Sequence, residues 1–108
     1  MSSTAFRIVL STASSAEEAT RIANHLVEHR LAACVNLVPG LTSIYRWQGT
    51  VEAASEVLLL IKTAESRLAD LEAALHTLHS YEVPEFVVLG IEGGSATYLD
   101  WLAASVAR

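Results

Sequence analysis

Apolar residues along this chain fall into runs and stripes whose period changes several times, and each change marks a new element. Phe6 to Leu10 is rich in strand formers, and its run Ile8, Val9, Leu10 suits a central strand covered on both faces. Ser14 and Ser15 each stand three residues before a glutamate, Glu17 and Glu18, so either pair can form a capping box. The stripe that follows, Ala19, Ile22, Ala23, Leu26 and Val27, predicts an amphipathic helix ending near Arg30. From Ala32 to Trp47 β-branched and aromatic residues dominate, interrupted by Pro39 and Gly40. That pattern predicts a long second strand with a kink or bulge.

Gln48 and Gly49 supply a tight turn, and Thr50 to Thr63 returns as another long extended run, so a protruding hairpin is expected. A two-residue turn sets the register: Trp47 faces Thr50, Tyr45 faces Glu52 and Ile44 faces Ala53. One face, with Ile44, Val51 and Ala53, then looks like core. The other gathers Tyr45, Trp47 and Glu52, a mixture suited to a partner or a ligand.

Ser66 to Ser80 repeats Leu68, Leu71, Leu75 and Leu78 at helical spacing. Pro84 biases Val83 toward extended geometry, so this helix ends before it, and Phe86 to Ile91 reads as a short strand stopped by Gly93 and Gly94. A last helix from about Ser95 is expected to turn Tyr98, Leu99, Leu102 and Val106 inward. The order β-α-β-β-α-β closes most simply into a four-stranded antiparallel sheet with two helices on one face. The expected fold is therefore α+β: a ferredoxin-like sandwich with an extended β-hairpin and a C-terminal helix, in one domain over residues 1–108.

Composition changes the picture in one respect. Apolar residues make up 52% of the 108 and charged residues 18%, so the surface is short of charge, and the sheet face without helices needs a cover. Association with other copies is the economical one. A formal charge of −5 argues against nucleic acid as a partner. The single Cys34 cannot close an intrachain disulfide, and no basic-then-apolar leader opens the chain, so a cytoplasmic setting is expected. The run Val57 to Ile61 is far too short for a membrane span.

Chemistry-bearing residues are scattered. His25 and His29 stand one helical turn apart and can place two imidazoles on one metal, but their face, shared with Glu18 and Arg21, reads more plainly as solvated surface. Glu72, His76 and His79 form a second chelating line that also serves as ordinary helix surface. Cys34 sits in an apolar run where a thiol packs as a small hydrophobe. Tyr81, Glu82 and Glu85 bring a phenol and carboxylates to a loop, where functional groups tend to sit. Glu56 and Lys62 share a strand face but stand ~20 Å apart, so each needs another partner. Trp47 and Trp101 suit packing. No nucleophile elbow, phosphate loop, zinc-protease helix or dinucleotide fingerprint is present, which ranks binding above catalysis.

Several stretches together resemble the CutA family, the divalent-cation tolerance proteins: Leu31 to Asn36 (LAACVN), Pro39 with Gly40, Ser43 to Gly49 (SIYRWQG), Glu56 with Lys62 and Thr63, Tyr81 to Glu85 (YEVPE) and Tyr98 to Leu102 (YLDWL). The resemblance implies a ferredoxin-like subunit in a tight homotrimer, similar in architecture to the PII signalling proteins, with a role in tolerance of copper and other divalent metals. Two departures stand out. The chain has His79, Ser80, Tyr81 where the family usually has His-Pro-Tyr, and Ser11 where some members carry a cysteine.

Two functional readings follow. In the first, the protein is a metal-responsive binding protein that holds copper or another divalent metal weakly, with His79 as first ligand and Cys34 as second. In the other, it is a PII-like regulator or enzyme. A small polar ligand then enters an inter-subunit cleft made by Tyr45, Trp47, Glu56, Lys62, Tyr81, Glu82 and Tyr98.

Overall fold

The computed structural model describes residues 4–108. Its elements run β1 (Phe6–Ala13), α1 (Ala16–Glu28), β2 (Cys34–Trp47), β3 (Thr50–Ala64), α2 (Leu68–Leu78), β4 (Val87–Gly90) and α3 (Ala96–Val106), with a 3₁₀ turn at Glu65–Arg67 leading into α2. The strands form one antiparallel sheet in the order β2-β3-β1-β4. This is the expected ferredoxin-like arrangement.

Strand alternation explains where the core lies. Val57, Leu59 and Ile61 of β3, with Val9 and Ala13 of β1, face α1 and α2, which contribute Ala19, Ile22, Leu26, Leu71 and Leu75. Each large side chain fully buried there stabilises by about 1.5 to 3 kcal/mol. The alternate residues Leu58, Leu60 and Lys62 lie on the other face. There α3 covers only one end, where Leu102 and Val106 pack on Ala33, Ala64 and Phe6. Tyr98, expected to point inward, is instead 41% exposed, because α3 lies over the sheet's end rather than across its middle.

The hairpin keeps the expected register, with Trp47 opposite Thr50, Tyr45 opposite Glu52 and Ile44 opposite Ala53. Gln48 and Gly49 both take positive φ, 50° and 82°, which matches the twist of a two-residue turn. The kink is a register shift between Val38 and Leu41, with Gly40 at φ 80°. One expectation is overturned: the Ile44 and Val51 face is not core within the chain, for these residues are 74% and 61% exposed. The hairpin runs past the two helices, so neither of them covers it. The molecule is elongated accordingly, 44 × 28 × 24 Å.

Ser11 is fully buried on the helix-covered face, and its Oγ has no hydrogen-bond partner among the described residues. An unpaired buried hydroxyl carries a desolvation cost of about 1 to 3 kcal/mol. Ser11→Ala is therefore expected to raise stability by about 1 kcal/mol, read as a higher midpoint in urea titration. A loss of stability would mean that the hydroxyl has a partner.

Candidate functional site

The site is assembled where α1 begins and α2 ends. Ser15 caps α1 by accepting from the Glu18 N–H at 3.1 Å. The Glu18 carboxylate does not close the capping box on Ser15. It accepts instead from the Ser14 N–H at 3.2 Å, the Ser14 hydroxyl at 3.0 Å and, across the fold, the Ser80 N–H at 2.8 Å. The residue is 5% exposed, which corrects its placement on a solvated helix face. Burial alone would raise this carboxyl, but the hydrogen bonds from Ser80 and Ser14 outweigh it and hold the pKa at about 2.

Beside Glu18, His79 leaves the helix. Its backbone is extended (φ −81°, ψ 142°), so it no longer continues the line of Glu72 and His76. The imidazole is fully buried. Its Nε2 lies 2.6 Å from the Thr12 carbonyl oxygen, and its Nδ1 accepts from the Tyr81 N–H at 3.0 Å. A carbonyl only accepts and an amide only donates, so the ring is held as the Nε2–H tautomer. Both nitrogens of this expected metal ligand are thus engaged, and a metal reaches the ring only by displacing one of these bonds.

The turn after His79 swings Tyr81 back over the sheet, where its hydroxyl donates to the Glu56 carboxylate at 2.5 Å. Burial, together with the hydrogen bond and negative charge of Glu56, pushes the phenol well above its ordinary range. The partner that Glu56 was expected to need is thus Tyr81 of the same chain. Between the hairpin and the 81–85 loop opens a cleft of about 710 Å³, lined by Thr12, Ser43, Ile44, Tyr45, Trp47, Glu52, Glu56, Tyr81, Val83, Pro84 and Glu85.

Of the seven residues expected around one ligand, the cleft unites Tyr45, Trp47, Glu56 and Tyr81. Glu82 is exposed outside it. Lys62 and Tyr98 meet each other elsewhere, the ammonium 5.8 Å from the ring centroid on the sparsely covered sheet face. Cys34 pairs with Lys62 across β2 and β3, and its Sγ lies 3.8 Å from Asn36 Oδ1. Among the described residues, no group of three or more His, Cys, Asp or Glu side chains is placed to hold a metal ion. Nor is any helix among them long and apolar enough to cross a membrane.

Sheet order, helix placement and the elongated hairpin define a ferredoxin-like α+β fold with a cleft alongside the hairpin. The family model described as CutA1 divalent ion tolerance protein matches residues 7–105, and the chain belongs to that family. The divalent-cation tolerance protein CutA of Thermus thermophilus is 56% identical over 95 residues, 88% of this chain and 92% of that protein. The chloroplastic protein CutA of Arabidopsis thaliana is 46% identical over 98 residues, which span 91% of this chain and 54% of its own length. The solved structure of the Thermus thermophilus divalent cation tolerance protein superposes with a TM-score of 0.92 at 52% identity, covering 94% of this chain and 99% of that one.

Proposed function

We propose that the chain serves divalent-cation tolerance as a homotrimer, a cytoplasmic, metal-responsive binding protein whose neighbouring copies close the cleft. The observation that carries this reading is uncovered apolar surface. Ile44 and Val51 on the hairpin and Val87 and Leu89 on β4 are exposed, and β2 and β4 form the open edges of the sheet. Such edges template pairing with another chain unless they are covered. The family resemblance supplies the number three. Light scattering should return the trimer mass, and the midpoint of unfolding should rise with protein concentration. A stable monomer at micromolar concentration would sink the idea.

Copper binding is expected to be weak and through imidazole, because dedicated sites bring three or four ligands together and no such cluster exists among the described residues. Cys34 offers a lone thiol. The compartment proposed for this chain is the cytoplasm, whereas the Arabidopsis relative is chloroplastic by name.

A second reading, a PII-like regulator or enzyme with a small polar ligand in the cleft, is favoured by the Tyr81–Glu56 pair and the aromatic wall of Tyr45 and Trp47. The lining includes Glu52, Glu56 and Glu85 but no Lys or Arg. Within one chain this field favours a cationic or neutral ligand over an anionic nucleotide. A thermal-shift panel of amines against nucleotides separates the two.

A further inference from the structure

We propose that His25 and His29, at the C-terminal end of α1, form a surface site for a divalent transition-metal ion, with Cu(II) the preferred occupant. The inference deepens the metal-binding reading above and rests on that reading only for its use in the cell. The two residues stand one helical turn apart. Their rings are stacked, with centroids 4.0 Å apart and an interplanar angle of 21°, so both imidazoles already project from the same side of the helix.

Hydrogen bonding also prepares one ligand atom. The Nδ1 of His29 lies 2.9 Å from the His25 carbonyl oxygen. Since the carbonyl can only accept, Nδ1 carries the proton, and the lone pair sits on Nε2, away from the backbone. Histidines that bind metals commonly present their second nitrogen to a carbonyl or carboxylate in this way, which sets both tautomer and ring orientation. His79 is the contrast: it is buried, and neither of its nitrogens is free.

Imidazole ligands suit Cu(II), Ni(II) and Zn(II), and Cu(II) stands highest among them in affinity order. Two protein ligands leave the remaining positions to water, so the site is weak. The local charge adds to that weakness. Arg67 donates to the Arg30 carbonyl at 3.1 Å and to the His29 carbonyl at 3.5 Å, so a guanidinium already answers the negative end of the helix. His29 is exposed and His25 half-buried, so the pair is open to solvent within the chain.

The test is a calorimetric titration of Cu(II) into the purified full chain, with electron paramagnetic resonance to count coordinated nitrogens. Wild type and the His25→Ala, His29→Ala and His76→Ala variants are compared at matched oligomeric state. Even outer-shell partners of metal ligands are worth roughly 10- to 100-fold in affinity, so loss of a direct ligand should weaken binding about 10-fold or more. That loss is expected in both His25→Ala and His29→Ala, and not in His76→Ala. Amide signals broadened by bound Cu(II) should centre on residues 21–30, a readout that does not depend on any substitution. Affinity unchanged in both variants, or broadening centred on His76 or His79, overturns this site and leaves the tolerance reading intact. A wild-type chain that binds no Cu(II) at micromolar concentration overturns both this site and the copper part of that reading.

Discussion

Glu18→Ala is expected to cost about 2 to 3 kcal/mol of stability at neutral pH and to remove much of the acid sensitivity of the fold. The carboxylate ties the start of α1 to the end of α2 through Ser14 and Ser80. Its pKa is depressed from 4.5 to about 2 in the folded state. A depressed folded value means that the stabilisation is fully present above the unfolded pKa and is lost as pH falls toward the folded one. The window therefore runs from 4.5 down to about 2. Urea denaturation at fixed protein concentration, at neutral pH and at several points in that window, measures the effect. The difference between wild type and variant should be constant above the window and shrink inside it. An undiminished difference at the acid end would mean that Glu18 acts through packing rather than charge.

His79→Ala should cost a similar amount, about 3 kcal/mol, since it opens a cavity in a closed site and strips one buried and one part-buried backbone group of their partner. The groups are the Thr12 carbonyl and the Tyr81 N–H. Its second consequence falls on the cleft. Tyr81 is placed over Glu56 by the backbone that His79 anchors, and its phenol is pushed well above the ordinary range by burial and by Glu56. With the anchor gone, the phenol should return toward about 10, and phenolate absorbance in alkaline titration reads this directly. A variant that keeps wild-type stability and the same phenolate titration would show that the imidazole is not the anchor. Cu(II) affinity, by contrast, should be unmoved.

How much of this was legible depends on how far apart in sequence the interacting groups lie. The hairpin register was readable because a two-residue turn at Gln48 and Gly49 leaves one pairing, and the observed Trp47–Thr50 and Tyr45–Glu52 pairs are the expected ones. The helices and the sheet order followed from period and topology. Glu18 was visible only as part of a cap and of a solvated helix face, because its partner Ser80 lies far along the chain and no local pattern announces it. The line Glu72, His76, His79 misled because helical spacing continued for one residue beyond the helix itself. Ile44 and Val51 misled differently. Alternation tells which residues must be covered, but not whether the cover belongs to the same chain.

The strand order also sets the sequence of events during synthesis. β2 and β3 are joined by a two-residue turn, so their ladder can zip within about 1 to 10 μs once both have emerged. β1 then docks on β3, but its other edge waits for β4, where Val87 pairs with Leu10 and Gly90 with Arg7. At about 5 to 20 residues per second, β1 and β4 leave the ribosome roughly 4 to 15 s apart. Once β3 has paired with it and until β4 arrives, β1, one of the two inner strands of the finished sheet, is an edge, with Ile8 and Leu10 beside unpaired backbone. The nascent chain is therefore open to wrong pairing at a strand that ends up inside the sheet, and the last strand made is the one that removes the hazard.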